Sequence, residues 1–508
     1  MADLKPAPAE TPDTTLSRGR LGALAIVFFV VAAAAPLVGM TGGVPVAIVL
    51  GNGAAVPGTY LVVGIALLIF SVGYAAMSSK VTNTGAFFAY VGRGLGVVSG
   101  VGSAFVSLIA YITIQLAIFG FFGAVMAGQM FYQFGIELPW YAWSFLAWIV
   151  VLLLSILRVD VGAKVLGVLL GLEILSLLVM AVAVLIQGGG PDGLDVGAAF
   201  SPAAIMAGGL AGSAGIAFAF TFASFIGFEA TAIYGEESKD PKKTVPRATY
   251  LAVIVITLLF VFASWAVVSG LGSSTVVDQV VQISSIEGVP LADPAAVLFY
   301  VADTYVGAWL AQVMGWLVLS SLFAGLLAFQ NSIARYFFAM GRAGVFPSAL
   351  DRVNKRGAPM LASVVTSIIS AIVMVIFAAL ALDPVLNLFY WTSAVSVLAI
   401  VLVEILVSVA VIAYFRKNST GAKMWNTLLA PLIAIMVLAI GAYLLVAKFA
   451  LFAGTAAEGS DPTTQNFALN PLGWFLVALP FIAFIIGLIV GQIRRRSENA
   501  DAIADLVS

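Results

Sequence analysis

Apolar runs of about 20 residues recur along the whole chain, and this feature limits the possible folds more than any other. A run of that length crosses the hydrocarbon layer of a bilayer, about 30 Å thick, as one α-helix. The sequence lacks the alternating segments of about ten residues that mark a transmembrane β-barrel. Only 9% of the 508 residues are charged, whereas soluble domains carry about 25%. The sequence therefore predicts an all-α integral membrane protein.

We predict twelve transmembrane helices. Their approximate ranges are 21–50, 59–79, 96–131, 140–157, 161–186, 207–236, 248–270, 306–341, 359–381, 385–415, 425–447 and 471–492. If the amino terminus is cytosolic, all but one of the 23 Lys and Arg residues fall on the cytosolic side, the exception being Lys448. A missed or an extra helix would have scrambled this partition, which follows the positive-inside rule. We expect a multi-pass protein of the plasma (inner) membrane with both termini in the cytosol.

One membrane domain, residues 21–492, is predicted between two short tails. Residues 1–20 are polar, rich in Pro and Thr, and lack the apolar core of a secretory signal, which predicts a disordered cytosolic tail. Residues 493–508 form the predicted C-terminal cytosolic tail. The predicted partners are a small-molecule substrate and the lipid bilayer, without nucleic acid, and either a monomer or a homodimer fits the sequence.

The chain has no cysteine and no histidine. Without cysteine, disulfides and thiolate metal sites are excluded, and without histidine, protons near neutral pH must be carried by carboxylates or by the substrate. No segment resembles an ATP-binding loop, which excludes primary active transport by this chain alone. We predict no metal, no cofactor and no enzymatic activity.

The first predicted helix has an interruption near its middle, in the stretch "AAAAPLVGMTGGVP" (32–45). Pro36 has no amide to donate and clashes with the preceding turn, while Gly39, Gly42 and Gly43 relax the backbone. Unpaired backbone groups cost several kcal/mol each in hydrocarbon, so a break at this depth persists only against protein or a watery cavity. The pattern predicts a discontinuous helix 1.

The sixth predicted helix has a matching feature, Gly227 in "SFIGFE". We expect residues 224–228 to be unwound, with Glu229 at the start of the cytosolic half. Helices 1 and 6 are the first members of two five-helix halves, and breaks in these corresponding helices are typical of an inverted-repeat transporter. A proline kink and a glycine packing notch, both common in membrane helices, are the alternative.

Three stretches carry a resemblance to a known family. They are "TGAFFAYVGRGLG" (84–96), "FASFIGFEATAIYGEESKDPKKTVPRA" (222–248) and "NSIARYFFAMGRAGVFPSALDRVNKRGAP" (331–359). At these residues the chain resembles the amino acid-polyamine-organocation (APC) superfamily of permeases, whose members share the leucine-transporter fold. The resemblance implies a 5+5 inverted repeat, about 21–186 and 207–415, with discontinuous helices 1 and 6 and two extra helices at about 425–492.

One departure from the family concerns the substrate. Many amino-acid carriers of the family have a Gly-small-Gly run in the first break, where backbone amides hold the substrate carboxylate at the end of a half-helix. Here the run is "AAPLVGMTGG", which looks more like the polyamine-importing branch. Whether the substrate carries a carboxylate therefore stays open at the level of sequence.

The predicted substrate-binding residues come from the two breaks and, by the resemblance, from three further helices. The breaks contribute Ala35, Pro36, Leu37, Val38, Gly39, Phe222, Ala223, Ser224, Ile226 and Gly227. The resemblance implies Tyr111 and Gln115 in helix 3, Phe329 in helix 8 as an aromatic lid, and Trp391 in helix 10. An aromatic face attracts an ammonium group by about 0.5–2 kcal/mol, although most aromatic residues in such a chain pack or face lipid.

Glu173, Glu229 and Glu404 lie within predicted spans. A charge at the bilayer centre costs at least about 2.5–3.5 kcal/mol, which makes each of them a proton-coupling candidate. A buried strut is the alternative for Glu229, and pairing with Arg335 or a cytosolic water pocket is the alternative for Glu404. Relatives carry a lysine at the position of Glu173, so the charge is reversed here. The acidic charge inside the spans favours a positively charged substrate or ion, although a zwitterion also carries an ammonium group.

These features predict a secondary active transporter that imports an amino acid or an organic amine or polyamine by proton symport, with alternating access around the two breaks. A solute sensor of the same fold is an alternative from another class, although sensors usually carry a soluble effector domain. A passive channel fits poorly with two broken helices. A sodium-coupled carrier, with oxygens near Asn331, Ser332 and the first break, and an exchanger are the further alternatives.

Overall fold

A computed structural model gives the arrangement of the chain. It describes residues 21–81, 87–157, 160–209, 212–233, 235, 238–354, 356–418 and 421–495. The predicted tail 1–20 lies outside the described residues, as does the predicted tail 493–508 beyond Arg495, where the last helix ends. Secondary structure in the described part is helical, apart from three isolated β-bridges.

Eleven helical stretches of the described residues are long and apolar enough to cross a membrane. One of them, Ala23–Ser78, has 56 residues and would be about 84 Å long as one helix, nearly three times the hydrocarbon thickness. It is interrupted at Gly51 (φ −104°, ψ −122°) and Gly53 (φ +58°), and therefore comprises two spans. The prediction of an all-α membrane protein with twelve spans is confirmed.

We number the spans α1 to α12. They are α1 (Ala23–Ala34 and 36–52), α2 (Val56–Ser78), α3 (Val97–Phe134), α4 (Trp140–Leu157), α5 (Asp160–Ile186), α6 (Ala214–Phe225 and Phe228–Ala232), α7 (Pro241–Leu271), α8 (Ala308–Arg342), α9 (Met360–Ala379), α10 (Pro384–Lys417), α11 (Trp425–Ala447) and α12 (Pro471–Arg495). Short helices between them are Phe87–Leu95, Val196–Phe200, Pro202–Ile205, Val276–Ser284, Ala295–Tyr305, Ser348–Asp351 and Phe449–Phe452.

Two helices begin seven residues away from their predicted starts. The helix α6 begins at Ala214 and not at residue 207, because Gly208 and Gly209 adopt positive φ values of 74° and 58° that end regular structure. The helix α7 begins at Pro241 and not at residue 248, because a proline in the first turn of a helix loses no hydrogen bond. Its first residues form a polar extension of the apolar span.

The helices differ in how deeply they are buried. In the most apolar window, 83% of α3 and 89% of α6 is buried, compared with 22% of α4 and 33% of α9. The inner helix α3 packs against α8, α10 and α12. Inner helices such as α3 and α6 are thus distinguished from outer ones such as α4 and α9.

Lys448, the exception to the charge pattern, is buried at the end of α11. Its Nζ donates hydrogen bonds to the carbonyl oxygens of Thr463 at 2.8 Å and Pro462 at 3.4 Å. A buried ammonium needs such partners because its desolvation is costly. Lys448 therefore holds the loop between α11 and α12 in place.

The break in α1 falls between Ala34 and Pro36. Ala35 has left-handed dihedral angles (φ 44°, ψ 73°), and Pro36 starts the second segment. Gly39, Gly42 and Gly43, which we expected to relax the backbone, remain helical in a short π-helical turn. Proline alone interrupts the helix, since it removes an amide and clashes with the carbonyl four residues earlier.

The break in α6 is narrower than the predicted stretch 224–228. The helix continues to Phe225, and only Ile226 (φ −56°, ψ 128°) and Gly227 (φ 115°, ψ −19°) leave helical geometry before a 3₁₀ segment begins at Phe228. Two residues are enough to interrupt the helix because Gly227 adopts a positive φ that other residues rarely adopt. Glu229, the predicted start of the second half, is the second residue of that segment.

Candidate functional site

The two breaks meet at the centre of the protein. A Cβ atom added to Gly227 would lie 2.9 Å from the Cβ of Ala33 and 3.4 Å from the backbone nitrogen of Ala34. Contacts this close are possible only because Gly227 has no side chain. Because Gly227 has no side chain, the backbones of α1 and α6 can approach each other closely at their breaks.

A small cavity of about 50 Å³ lies beside this contact. Its lining comes from α1, α3, α6, α8 and α10, and consists of Ala33, Ala34, Ala35, Val38, Gly39, Gly43, Ile114, Ile118, Phe220, Ala223, Ser224, Ile226, Phe329, Phe389 and Ser393. We call it the central cavity. It has room for a few water molecules but not for an amino acid, so a solute of that size does not fit beside the breaks in this conformation.

Seven of the predicted substrate-binding residues line the central cavity. They are Ala35, Val38, Gly39, Ala223, Ser224, Ile226 and Phe329. Pro36, Leu37 and Gly227 form the breaks themselves but are not part of the lining. Tyr111 is not part of the lining, and its ring packs against that of Phe329, with 6.0 Å between the ring centroids. The breaks therefore contribute to the cavity mainly through the residues that flank them.

The structure places three predicted binding residues elsewhere. The Gln115 amide donates to Gln330 Oε1 at 2.8 Å and accepts from Ser370 Oγ at 3.3 Å, so it connects α3 to α8 and α9. The ring of Phe222 packs against α11 at Gly441. The Trp391 ring packs against that of Phe377 in α9. Each of these three side chains projects from a face of its helix that points away from the cavity.

Other lining residues were not predicted. Phe220 precedes Ser224 by four residues, and Ile114 and Ile118 follow Tyr111 by three and seven, so the helical period from predicted residues could have located them. Phe389 and Ser393 are also four residues apart, on the face of α10 opposite to our expectation. Neither had a signal in the sequence.

Glu173 of α5 is buried against the break in α1. Its Oε1 accepts hydrogen bonds from the backbone amide of Leu37 and from the Ser321 hydroxyl of α8, both at 2.7 Å. Pro36 leaves the Leu37 amide at the start of a helical segment without a helical acceptor. Glu173 supplies that acceptor, and it thereby joins α1, α5 and α8.

Glu229 has the corresponding role at the break in α6. Its Oε2 accepts from the backbone amide of Gly227 at 3.0 Å, and its Oε1 accepts from the Tyr111 hydroxyl of α3 at 2.9 Å. The Tyr74 hydroxyl of α2 donates to the Glu229 carbonyl at 2.6 Å. Each break thus has one amide hydrogen-bonded to a buried carboxylate of the chain itself.

Glu404 of α10 is equally buried, with 2% of its surface exposed. It lies near enough to Glu229 for the two side chains to interact electrostatically. One of its oxygens, Oε2, has no hydrogen-bond partner among the described residues. Two of the three predicted proton-coupling residues, Glu173 and Glu229, therefore lie at the breaks, and Glu404 interacts with Glu229.

A second, larger cavity of about 610 Å³ lies at the ends of α3 and α8 that we predict to be extracellular. Its described lining includes Gln129, Tyr300, Asp303 and Asp293, and no Lys or Arg. Burial raises the pKa of the Asp293 carboxyl above its usual value.

An aromatic pair separates this outer cavity from the central one. The rings of Phe121 and Phe389 stack with 4.8 Å between centroids and 21° between planes. Phe121 lines the outer cavity and Phe389 lines the central cavity. The stacked rings therefore form a thin apolar barrier between the two spaces.

Comparison with known proteins gives one family and several relatives. A family model described as "Amino acid permease" matches residues 26–499. The chain is 28% identical over 139 residues to a D-serine/D-alanine/glycine transporter of Escherichia coli (27% of this chain, 26% of the relative). It is 25% identical over 158 residues to an L-lysine transport protein of Corynebacterium glutamicum (31% and 28%) and 29% identical over 128 residues to a low-affinity putrescine importer of Escherichia coli (25% of each). These alignments span less than a third of each relative's length.

Proposed function

The chain belongs to the amino acid permease family of the APC superfamily, and from this premise we propose that it imports an amino acid or an organic amine by proton symport with alternating access. Family membership makes it a multi-pass membrane permease and not an enzyme. The relatives named above carry small amino acids, lysine and putrescine, which supports this substrate range.

The observation that carries the proposal is the pair of carboxylate–amide hydrogen bonds at the breaks. Glu173 holds the Leu37 amide and Glu229 holds the Gly227 amide. Proton uptake turns one carboxylate oxygen into a donor and removes the negative charge that strengthens the bond to the amide. Protonation would therefore loosen the contacts that keep each break in its closed geometry, which links proton binding to movement of α1 and α6.

The two cavities support alternating access. Phe121, which lines the outer cavity, stacks on Phe389, which lines the central cavity. Rotation of these rings would admit a solute from outside, and a separate movement on the cytosolic side would release it. Opening the two sides in turn lets the proton gradient drive accumulation of the solute.

The orientation and the location belong to the proposal as well. The charge pattern favours an inner-membrane protein with both termini in the cytosol. Substrate and coupling proton would then enter from the side of the outer cavity.

The proposal is tested by reconstituting the Glu229→Gln variant into proteoliposomes with an imposed pH gradient. Glutamine keeps the size of the side chain but carries no titratable proton, so we expect proton-driven accumulation to be lost. Glu458→Gln is the matched control, because Glu458 is exposed in the loop between α11 and α12. Accumulation by Glu229→Gln at the wild-type level would refute the coupling role.

The same assay separates the alternatives. Accumulation that follows a sodium gradient but not a pH gradient would identify a sodium-coupled carrier. Exchange without net accumulation would identify an exchanger. Substrate binding with no flux of either kind would identify a sensor.

A further inference from the structure

Around the central cavity, the backbone amides at the breaks already donate hydrogen bonds, whereas some backbone carbonyl oxygens accept none from the described residues. The amide of Ala35 donates to the carbonyls of Val31 and Ala32, and the amides of Val38 and Gly39 donate to the carbonyl of Ala35. The Ile226 amide likewise donates to Ala223. The amides of the lining residues at the breaks are therefore engaged within the protein.

The backbone amides of Leu37 and Gly227, which lie at the breaks but outside the lining, also donate hydrogen bonds within the protein. The start of a helical segment is where an anion such as a substrate carboxylate binds best, because the free amides and the helix dipole point there. At both breaks the chain's own carboxylates, Glu173 at Leu37 and Glu229 at Gly227, hold that position. A carboxylate on the substrate would have to displace a buried glutamate or lie close to one.

The acceptors at the cavity have no such partners. Pro36 has no amide, and the Leu37 amide donates to Glu173, so the carbonyls of Ala33 and Ala34 receive no hydrogen bond from any described residue. Both residues line the cavity. The hydroxyl of Ser393, which also lines it, is buried and has no hydrogen-bond partner among the described residues. Buried polar groups without partners are costly, so these three groups mark a place for a donor.

The remaining lining suits a cation. Phe220, Phe329 and Phe389 present aromatic rings, and an ammonium is attracted to a ring face. Among the described residues, no charged one belongs to the lining. A site with free carbonyl oxygens, one free hydroxyl and aromatic rings has what an ammonium group needs, whereas the Ser393 hydroxyl is the single free donor that its described lining offers to a carboxylate.

We infer that the central site selects organic ammonium ions that lack a carboxylate, with the substrate ammonium at the carbonyls of Ala33 and Ala34 and the hydroxyl of Ser393. The inference rests on the proposed function and narrows its substrate class from amino acids and amines to amines. The carboxylates of Glu173 and Glu229 then occupy the positions where a carrier of zwitterions would bind the substrate carboxylate.

The test compares amines with the amino acids that differ from them only by the carboxylate. The pairs are ethanolamine with serine, putrescine with ornithine, and cadaverine with lysine. Purified full-length protein is titrated with each compound while its thermal unfolding is followed, since a ligand that binds the native state stabilises it by mass action. A hydrogen bond to a charged group changes affinity by roughly tenfold or more, so we expect each recognised amine to bind at least tenfold more tightly than its partner.

The outcomes separate this inference from the proposed function. Tighter binding and proton-driven uptake of the amino acid in a pair would overturn the inference and leave the proposed function standing. Binding of no member of any pair would contradict both the inference and the substrate range of the proposed function.

Two sets of variants test the geometry. Ser393→Ala should lower amine affinity several-fold, whereas Thr392→Val should not, because Thr392 is outside the lining and bonds to the carbonyl of Leu388. Glu173→Ala frees the Leu37 amide and should lower the ratio of amine to amino-acid affinity, whereas Glu173→Gln keeps an acceptor there and should largely preserve the ratio. If Glu173→Ala does not fold, Ser393→Ala still decides, and equal amine affinity for it and the wild type would overturn the placement of the ammonium.

Discussion

Replacing Gly227 by alanine tests the contact between the two breaks most directly. Gly227 has φ 115°, a conformation that L residues rarely adopt, so alanine there costs about 1–3 kcal/mol of backbone strain. The new Cβ would lie 2.9 Å from the Cβ of Ala33, where ordinary contacts begin at 3.4 Å. Ala33 must therefore move by about half an ångström, and overpacking of this kind costs about 1–3 kcal/mol. Together the two effects predict that the free energy of unfolding falls by about 2–6 kcal/mol.

The displacement has a functional consequence as well. Ala33 and Ala34 line the central cavity, so pushing α1 away from α6 moves their carbonyl oxygens. We expect Gly227→Ala to unfold at a lower temperature than the wild type, by intrinsic tryptophan fluorescence in detergent, and to lose substrate uptake in proteoliposomes.

The matched control is Gly171→Ala in α5. A Cβ added to Gly171 meets no atom of the described residues within 4 Å beyond the backbone of its own helix, and Gly171 lies in that α-helix. Alanine should therefore leave uptake unchanged and be neutral or slightly stabilising, by up to about 1 kcal/mol. Wild-type stability and uptake in Gly227→Ala would refute the close approach of the two breaks.

Two further predictions concern the side of the protein that we predict to be extracellular. Lys448→Met keeps the apolar stem but leaves the carbonyls of Pro462 and Thr463 without their donor, so proteolysis of the loop between α11 and α12 should become faster, and an unchanged rate would contradict its anchoring role. Burial raises the pKa of Asp293, so its contribution to stability is fully present below the unfolded-state pKa and is lost as the pH rises through the folded-state pKa. Relative to Asp293→Asn, the wild type should therefore gain unfolding temperature as the pH is lowered from 7 towards 4, and a constant difference would argue against the raised pKa.

The sequence by itself determined the helical class, the number of spans and the positions of the two breaks. These properties are local: the length of an apolar run decides whether it crosses the bilayer, and a proline or a glycine changes the backbone at its own position. Pro36 and Gly227 were therefore recognisable in isolation. Even so, the exact residues that leave helical geometry depended on neighbours, since Gly39 stays helical although glycine permits other conformations.

Only the tertiary structure decided which side chains meet. One residue step turns a helix by about 100°, so the period alone does not say which face of α10 points inwards, and Phe389 lines the cavity where Trp391 is predicted to do so. The bond from Leu37 to Glu173 joins residues 136 positions apart. No local pattern encodes such a partner, because it is selected when packing brings an amide freed by proline next to the one buried carboxylate that satisfies it.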